Sequence, residues 1–109
     1  MKVSNKINDE GVFLSVEGRV DTTNYNEFEK AVNEVFTADV KEIYLDCSEL
    51  SYISSSGLRI FLTVQKKMMA RAGKFKLYDL QPGIQEIFDI SGFSSIFSIF
   101  SNEDEAKQG

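Results

Sequence analysis

Three consecutive serines, Ser54, Ser55 and Ser56, precede Gly57-Leu58-Arg59 and follow Leu45-Asp46-Cys47-Ser48-Glu49-Leu50-Ser51-Tyr52-Ile53. The segment reads as a buried strand, a polar turn and the mouth of a helix. A serine hydroxyl in such a place can attack a substrate, carry a phosphate or cap the helix. Attack needs a base. The chain has no histidine, and the serines lack the Gly-x-Ser-x-Gly elbow, so a serine hydrolase is the weakest reading. A phosphate is a better match, because a helix N-terminus stabilises an anion through its free N–H groups and dipole. Capping is the plainer alternative, since serine side chains satisfy those same N–H groups. Both readings stay open for each serine. Gly57 reads as a packing or backbone requirement, because one glycine falls far short of a P-loop.

The elements that position these residues can be read from periodicity. Lys2–Asn8 and Val12–Glu17 read as strands joined by the hairpin Asn8-Asp9-Glu10-Gly11. Potential caps in Gly18–Asn24 precede a helix with Tyr25, Phe28, Val32, Val35 and Phe36 on one face. Ile43-Tyr44-Leu45 begins a third strand. The helix after the serines aligns Leu58, Phe61, Leu62, Met68 and Ala72, with Gly73 suited to its C′ position. Phe75–Tyr78 alternates as a fourth strand, and Pro82 opens a third helix that buries Ile84, Ile87 and Phe88 and stops at Gly92. Ser95–Phe100 reads as a last strand, and 102–109 as a short acidic C-terminal helix capped by Asn102 or a frayed tail. The order β-β-α-β-α-β-α-β-α predicts an α/β single domain over 1–109, a four- to five-stranded mixed sheet with about four helices.

Composition narrows the function. The 109 residues are 42% hydrophobic, enough for one core without staples. Net charge is −5, from 17 acidic and 12 basic residues, and the basic ones are scattered, which argues against nucleic acid as a partner. Lys66, Lys67 and Arg71 sit where they favour the negative end of the second helix. Cys47 is the only cysteine, so no internal disulfide and no zinc site are expected. It reads as a small buried hydrophobe. No apolar run approaches the roughly 18 residues of a membrane span, and the N-terminus lacks a signal-peptide stretch, so a cytoplasmic protein without membrane insertion is expected. No metal or cofactor and no enzymatic activity are expected.

The segment Leu45–Arg59 resembles the signature of STAS domains, the anti-sigma factor antagonist family. Gly18-Arg19-Val20-Asp21 is similar to the family's Gly-x-apolar-Asp segment, and Ile90-Ser91-Gly92-Phe93 to the end of its third helix. The element order matches over nearly the whole chain. The resemblance implies a bacterial binding module that holds an anti-sigma serine kinase when unphosphorylated and releases it when a serine is phosphorylated. A separate serine phosphatase restores the complex. The acceptor in the family lies two positions before the glycine, which is Ser55 here. Ser54 and Ser56 are its rivals; well-known members carry aspartate where this chain has Ser54. Asp21, Ser54, Ser56 and Gly57 are the partner-binding candidates, with Asp21 either capping the first helix or facing the kinase. STAS domains also include transporter subunits, so a non-phosphorylated regulatory subunit of a transporter ATPase is the alternative.

Overall fold

In the computed structural model, which describes residues 1–37 and 39–109, the chain begins with an antiparallel hairpin. Strands β1 (Lys2–Asn8) and β2 (Gly11–Val20) pair from Lys2 opposite Glu17 to Asn8 opposite Gly11. The sheet continues in parallel with β3 (Glu42–Asp46), β5 (Lys74–Tyr78) and β6 (Ser98–Phe100), in the order β1-β2-β3-β5-β6. A further strand, β4 (Leu50–Ile53), pairs in parallel with the far end of β2. The expected order runs from the third strand through a polar turn straight to the serine helix, so β4 is an addition to it. Its two exposed central residues, Ser51 and Tyr52, hide the strand pattern.

Helices α1 (Tyr25–Val35), α2 (Ser55–Ala70) and α3 (Pro82–Ser91) pack against the main core. Val12, Leu14 and Val16 of β2 supply that core's sheet side with Ile43, Leu45, Phe75 and Leu77. The buried stripe of α2 is Gly57, Ile60, Phe61, Val64 and Met68. It is rotated from the expected one: Leu58 and Leu62 are half-buried at its edge, and Ala72 lies exposed beyond the helix. Ala72, not Gly73, takes the left-handed position, with φ 56°. Its N–H donates to the Met69 carbonyl and that of Gly73 to Met68, which closes the helix end. Gly73 is there for space, because a Cβ would lie 2.7 Å from the Lys41 carbonyl oxygen.

Phe61 is the hub of the core. Its ring centroid lies 5.7 Å from Phe28, 6.2 Å from Phe75 and Phe88, and 6.3 Å from Phe97. These tilted and edge-on contacts suit the positive edges and negative faces of aromatic rings. Phe97 turns inward to join them after a 3-10 turn at Phe93–Ser95, which is why β6 is shorter than the expected Ser95–Phe100. Pro82 and Gly92 bound α3 as the sequence reading has them.

The opposite sheet face carries Phe13, Tyr44, Tyr78 and Phe100 under a short helix, α4 (Glu103–Gln108). Asn102 caps α4 by accepting the Glu105 N–H at 2.9 Å, and Ala106 is buried beneath it. Lys76 is buried there too, at 3% exposure. Its Nζ donates to the carbonyls of Ala106 (2.8 Å) and Gly109 (2.7 Å) and lies 3.6 Å from a Glu42 carboxylate oxygen. A buried lysine needs such partners, because an unpaired charge or polar group there is costly. Here it ties the C-terminal carbonyls of α4 to the sheet.

Two outcomes are expected. Phe61→Ala should lower the unfolding free energy by about 3–5 kcal/mol in chemical denaturation, the usual cost of emptying an aromatic core site. Lys76→Met should leave the domain folded but loosen α4, raising the hydrogen-exchange rate of the Ala106 amide about tenfold or more.

Candidate functional site

The site is assembled by β2, which is long enough to pair with two strands in turn. Its first half, Val12 to Ser15, lies beside Ile43 to Asp46 of β3; its second half, Gly18 to Val20, lies beside β4. Between β3 and β4 the chain steps out and back at Cys47-Ser48-Glu49. Asp46 Oδ1 accepts the Ser48 N–H at 2.9 Å, the Leu50 N–H donates to the Cys47 carbonyl at 3.1 Å, and Gln81 Nε2 donates to the Ser48 carbonyl at 2.8 Å. These bonds give Asp46 the local turn-stabilising role that its type suggests. Cys47 is wholly buried, as the sequence reading expects. Burial, then the nearby carboxylates of Asp46 and Asp79, push its thiol far above the ordinary range.

Gly18 makes the double pairing possible. At φ 89° it occupies backbone space open chiefly to glycine, and its N–H donates to the Glu49 carbonyl at 2.8 Å. The register shifts there, so that Arg19 stands opposite Tyr52 and Val20 opposite Ile53. The Ser54 N–H then donates to the Val20 carbonyl at 2.8 Å. Asp21 and Ser54, the next residues on the two strands, therefore leave the sheet side by side.

Asp21 does not cap α1 with its side chain. Its Oδ1 accepts the Thr23 hydroxyl at 2.6 Å and the Thr23 N–H at 2.9 Å, and its Oδ2 lies 3.8 Å from Arg19 Nε. The Thr23 hydroxyl, the Thr23 N–H and more weakly Arg19 hold this carboxyl below the usual carboxylate range. Asn24 secures the same loop, accepting the Asp21 N–H and donating to the Arg19 carbonyl, both at 2.9 Å. The Arg19 guanidinium lies 4.2 Å from the centre of the Tyr52 ring, an exposed cation–π pair beside Asp21. Sequence reasoning missed Arg19, Tyr52 and Asn24 as site residues. Only the pairing of β2 with the unforeseen β4 brings the first two together.

The serines have three different surroundings. Ser54 is the N-cap of α2, 8% exposed, with its Oγ accepting the Gly57 N–H at 3.3 Å. Ser55 is the first residue of α2; its side chain is exposed and makes no hydrogen bond among the described residues. Ser56 is half-buried and lines a small hollow with Tyr25, Glu29, Arg59, Ile60 and Thr63. Gly57 is buried, and a Cβ there would lie 2.8 Å from Ile53 Cγ1 and 2.9 Å from Val20 Cγ1. It lets α2 start close against β2 and β4 and presents no surface of its own. No acidic residue occupies the first turn of α2. One accessible hydroxyl thus stands on a positive helix end that carries no acidic residue of its own.

The profile of the STAS domain family matches residues 2–106 of this chain. The chain is a STAS domain protein. Among curated relatives it is 34% identical over 91 residues to BtrV of Bordetella bronchiseptica, a provisionally assigned anti-sigma factor antagonist; the match covers 84% of this chain and 78% of BtrV. It is 30% identical over 95 residues to the anti-sigma-B factor antagonist of Listeria monocytogenes, covering 84% of this chain and 81% of that protein. The STAS fold is shared with solved structures. The unphosphorylated form of the anti-sigma factor antagonist SpoIIAA superposes with a TM-score of 0.80 at 19% identity, covering 98% of this chain and 95% of that one. A Thermotoga maritima protein assigned to the same class superposes with a TM-score of 0.89 at 23% identity, covering 96% and 91%. Among the described residues, no helix of this STAS domain is long and apolar enough to cross a membrane.

Substitutions should separate the structural serine from the exposed one. Ser54→Ala should cost about 1 kcal/mol through the lost cap. Gly57→Ala should cost about 1–3 kcal/mol, because its methyl must displace Ile53 and Val20. Ser55→Ala should change stability by less than about 0.5 kcal/mol. Urea denaturation of the three variants measures all of these.

Proposed function

We propose that this STAS domain is an anti-sigma factor antagonist, a protein-binding module switched by phosphorylation of Ser55. Unphosphorylated, it binds an anti-sigma serine kinase and so frees a sigma factor for transcription; phosphorylated, it releases the kinase. In the transfer the Ser55 Oγ bonds to the γ-phosphorus of a nucleoside triphosphate. The bond to the β-phosphate oxygen breaks, the diphosphate leaves, and the hydroxyl proton passes to a base on the kinase. A serine phosphatase hydrolyses the ester and resets the module.

The observation that carries this reading is the exposure of Ser55 on the helix start, with Ser54 buried as the cap and Ser56 half-buried. The relatives' names point the same way: the Listeria relative is called an anti-sigma-B factor antagonist, and SpoIIAA has also been solved in a phosphorylated form. Asp21, with its neighbours Arg19 and Tyr52, and the half-buried Ser56 form the rim that a partner would meet around Ser55. Ser54 and Gly57 act beneath it by fixing where the helix begins.

Electrostatics explain why such a switch acts on the complex and spares the fold. A phosphate adds about −1.5 to −2 charge at pH 7, which the positive helix end accommodates. A partner surface fitted to a neutral hydroxyl would instead have to desolvate that anion. Ser55→Ala should therefore keep kinase binding but take no phosphate. Ser55→Asp should weaken binding about tenfold or more while its melting temperature stays within about 2 °C of the parent. Calorimetric titration and kinase assays with the purified pair check this. Phosphorylation of Ser55→Ala at the parent's rate would exclude Ser55 as acceptor. Permanent binding to a transporter ATPase, with no modified serine, would favour the transporter-subunit reading instead.

A further inference from the structure

We infer that Arg59 is the intramolecular charge partner of a phosphate on Ser55, so that phosphorylation also withdraws a cation from the binding face. The inference rests on the proposed phosphoacceptor role of Ser55 and extends it to a residue that the sequence reading gave no role.

Ser55 opens α2 and Arg59 follows four residues later, one helical turn on, so their side chains share a face. Helical side chains lean towards the N-terminus and cover the preceding turn, which directs Arg59 back over Ser55 and Ser56. Both Ser55 and Arg59 are exposed. The other two arginines are engaged. Arg19 stacks on Tyr52 near Asp21, and Arg71 donates to the Thr37 carbonyl at 2.6 Å and lies over Phe36. The Arg59 guanidinium has no ion pair, hydrogen bond or aromatic partner among the described residues. It borders the hollow beside Ser56, which Glu29 of α1 also lines, and no salt bridge joins the two among the described residues. A guanidinium so placed is unspent.

Other charges around Ser55 do not pre-empt the pair. From the β2–α1 loop, Asp21 is already turned to Thr23 and Arg19, and α2 has no acid in its first turn. The carboxylate that shares the hollow with Arg59 is Glu29, a single charge against a dianion with three acceptor oxygens. Guanidinium matches phosphate geometry with two parallel N–H donors, which an ammonium cannot reproduce. Phosphorylation would thus draw Arg59 onto the new phosphate. A partner that meets the phosphorylated face encounters an anion and loses access to a cation it met before.

The test uses the full chain with phosphoserine installed at position 55 during translation, so no kinase is required. Phosphorus NMR follows the second ionisation of that phosphate in the parent, in Arg59→Gln and in Arg59→Lys. The helix end is common to all three, so differences between them isolate residue 59. The phosphate should titrate about half a pH unit or more lower in the parent than in Arg59→Gln, with Arg59→Lys between them. Circular dichroism should show the same fold for all three, since residue 59 is exposed. Equal titration in the parent and Arg59→Gln would overturn the pairing. That result is distinct from failure of the acceptor role, which shows in kinase assays on Ser55→Ala.

Discussion

Strand β2 spends its ten residues on two parallel partners in succession, and the serine end of the molecule depends on that division. Parallel neighbours share a direction, so β3 and β4 can lie end to end along the same edge of β2 only if the chain between them makes a tight detour. Cys47-Ser48-Glu49 is that detour, held by the Asp46 carboxylate and the Gln81 amide. Gly18 supplies the matching irregularity on β2. Without the pairing of Val20 with Ile53, Asp21 and Ser54 would have no fixed relation. With it, two loops from distant parts of the sequence emerge together, and α2 starts at a defined point against them.

Packing converts that placement into rigidity. Gly57 brings the first turn of α2 against Val20 and Ile53, and Phe61, one turn further, enters an aromatic cluster drawn from α1, β5, α3 and the segment before β6. The helix that carries the exposed serine is therefore among the best-anchored elements of the domain. Such anchoring suits the proposed switch by surface charge: a phosphate added there would have little leverage over the core and would act on whatever docks against it. The far side of the sheet is organised separately, by stacked Phe13 and Tyr44 and by the Lys76 tie to α4.

Features governed by neighbouring residues were legible in the sequence. Pro82 and Gly92 bound α3, Asn102 caps α4, and the β1–β2 turn lies at Asp9-Glu10, because turn and cap chemistry is local. The candidate serines and Asp21 were also legible from residue type and family pattern. What escaped depends on tertiary contacts. Four-residue β4 has no alternation to read, since its strandness comes from β2. Lys76 sits at a position that alternation assigns to solvent, yet α4 covers that face. Aromatic Phe13 and Tyr44, paired across β2 and β3, and Tyr78 and Phe100, paired across β5 and β6, were the available signal that the face is covered. The α2 stripe was rotated because Gly57, with no side chain to count as apolar, leads it. Arg19 and Tyr52 join the candidate site only through the bulge-shifted register.

The most direct measurement for the proposed switch is phosphosite mapping by fragmentation mass spectrometry on the protein isolated from its native cell. Tryptic cleavage at Arg59 leaves all three serines on one peptide, so fragment ions between Ser54, Ser55 and Ser56 make the assignment. Phosphate on Ser55 alone is the expected result, because Ser54 is buried as a cap and Ser56 is turned half into the hollow. Phosphate on Ser54 or Ser56, with Ser55 unmodified, would contradict the account.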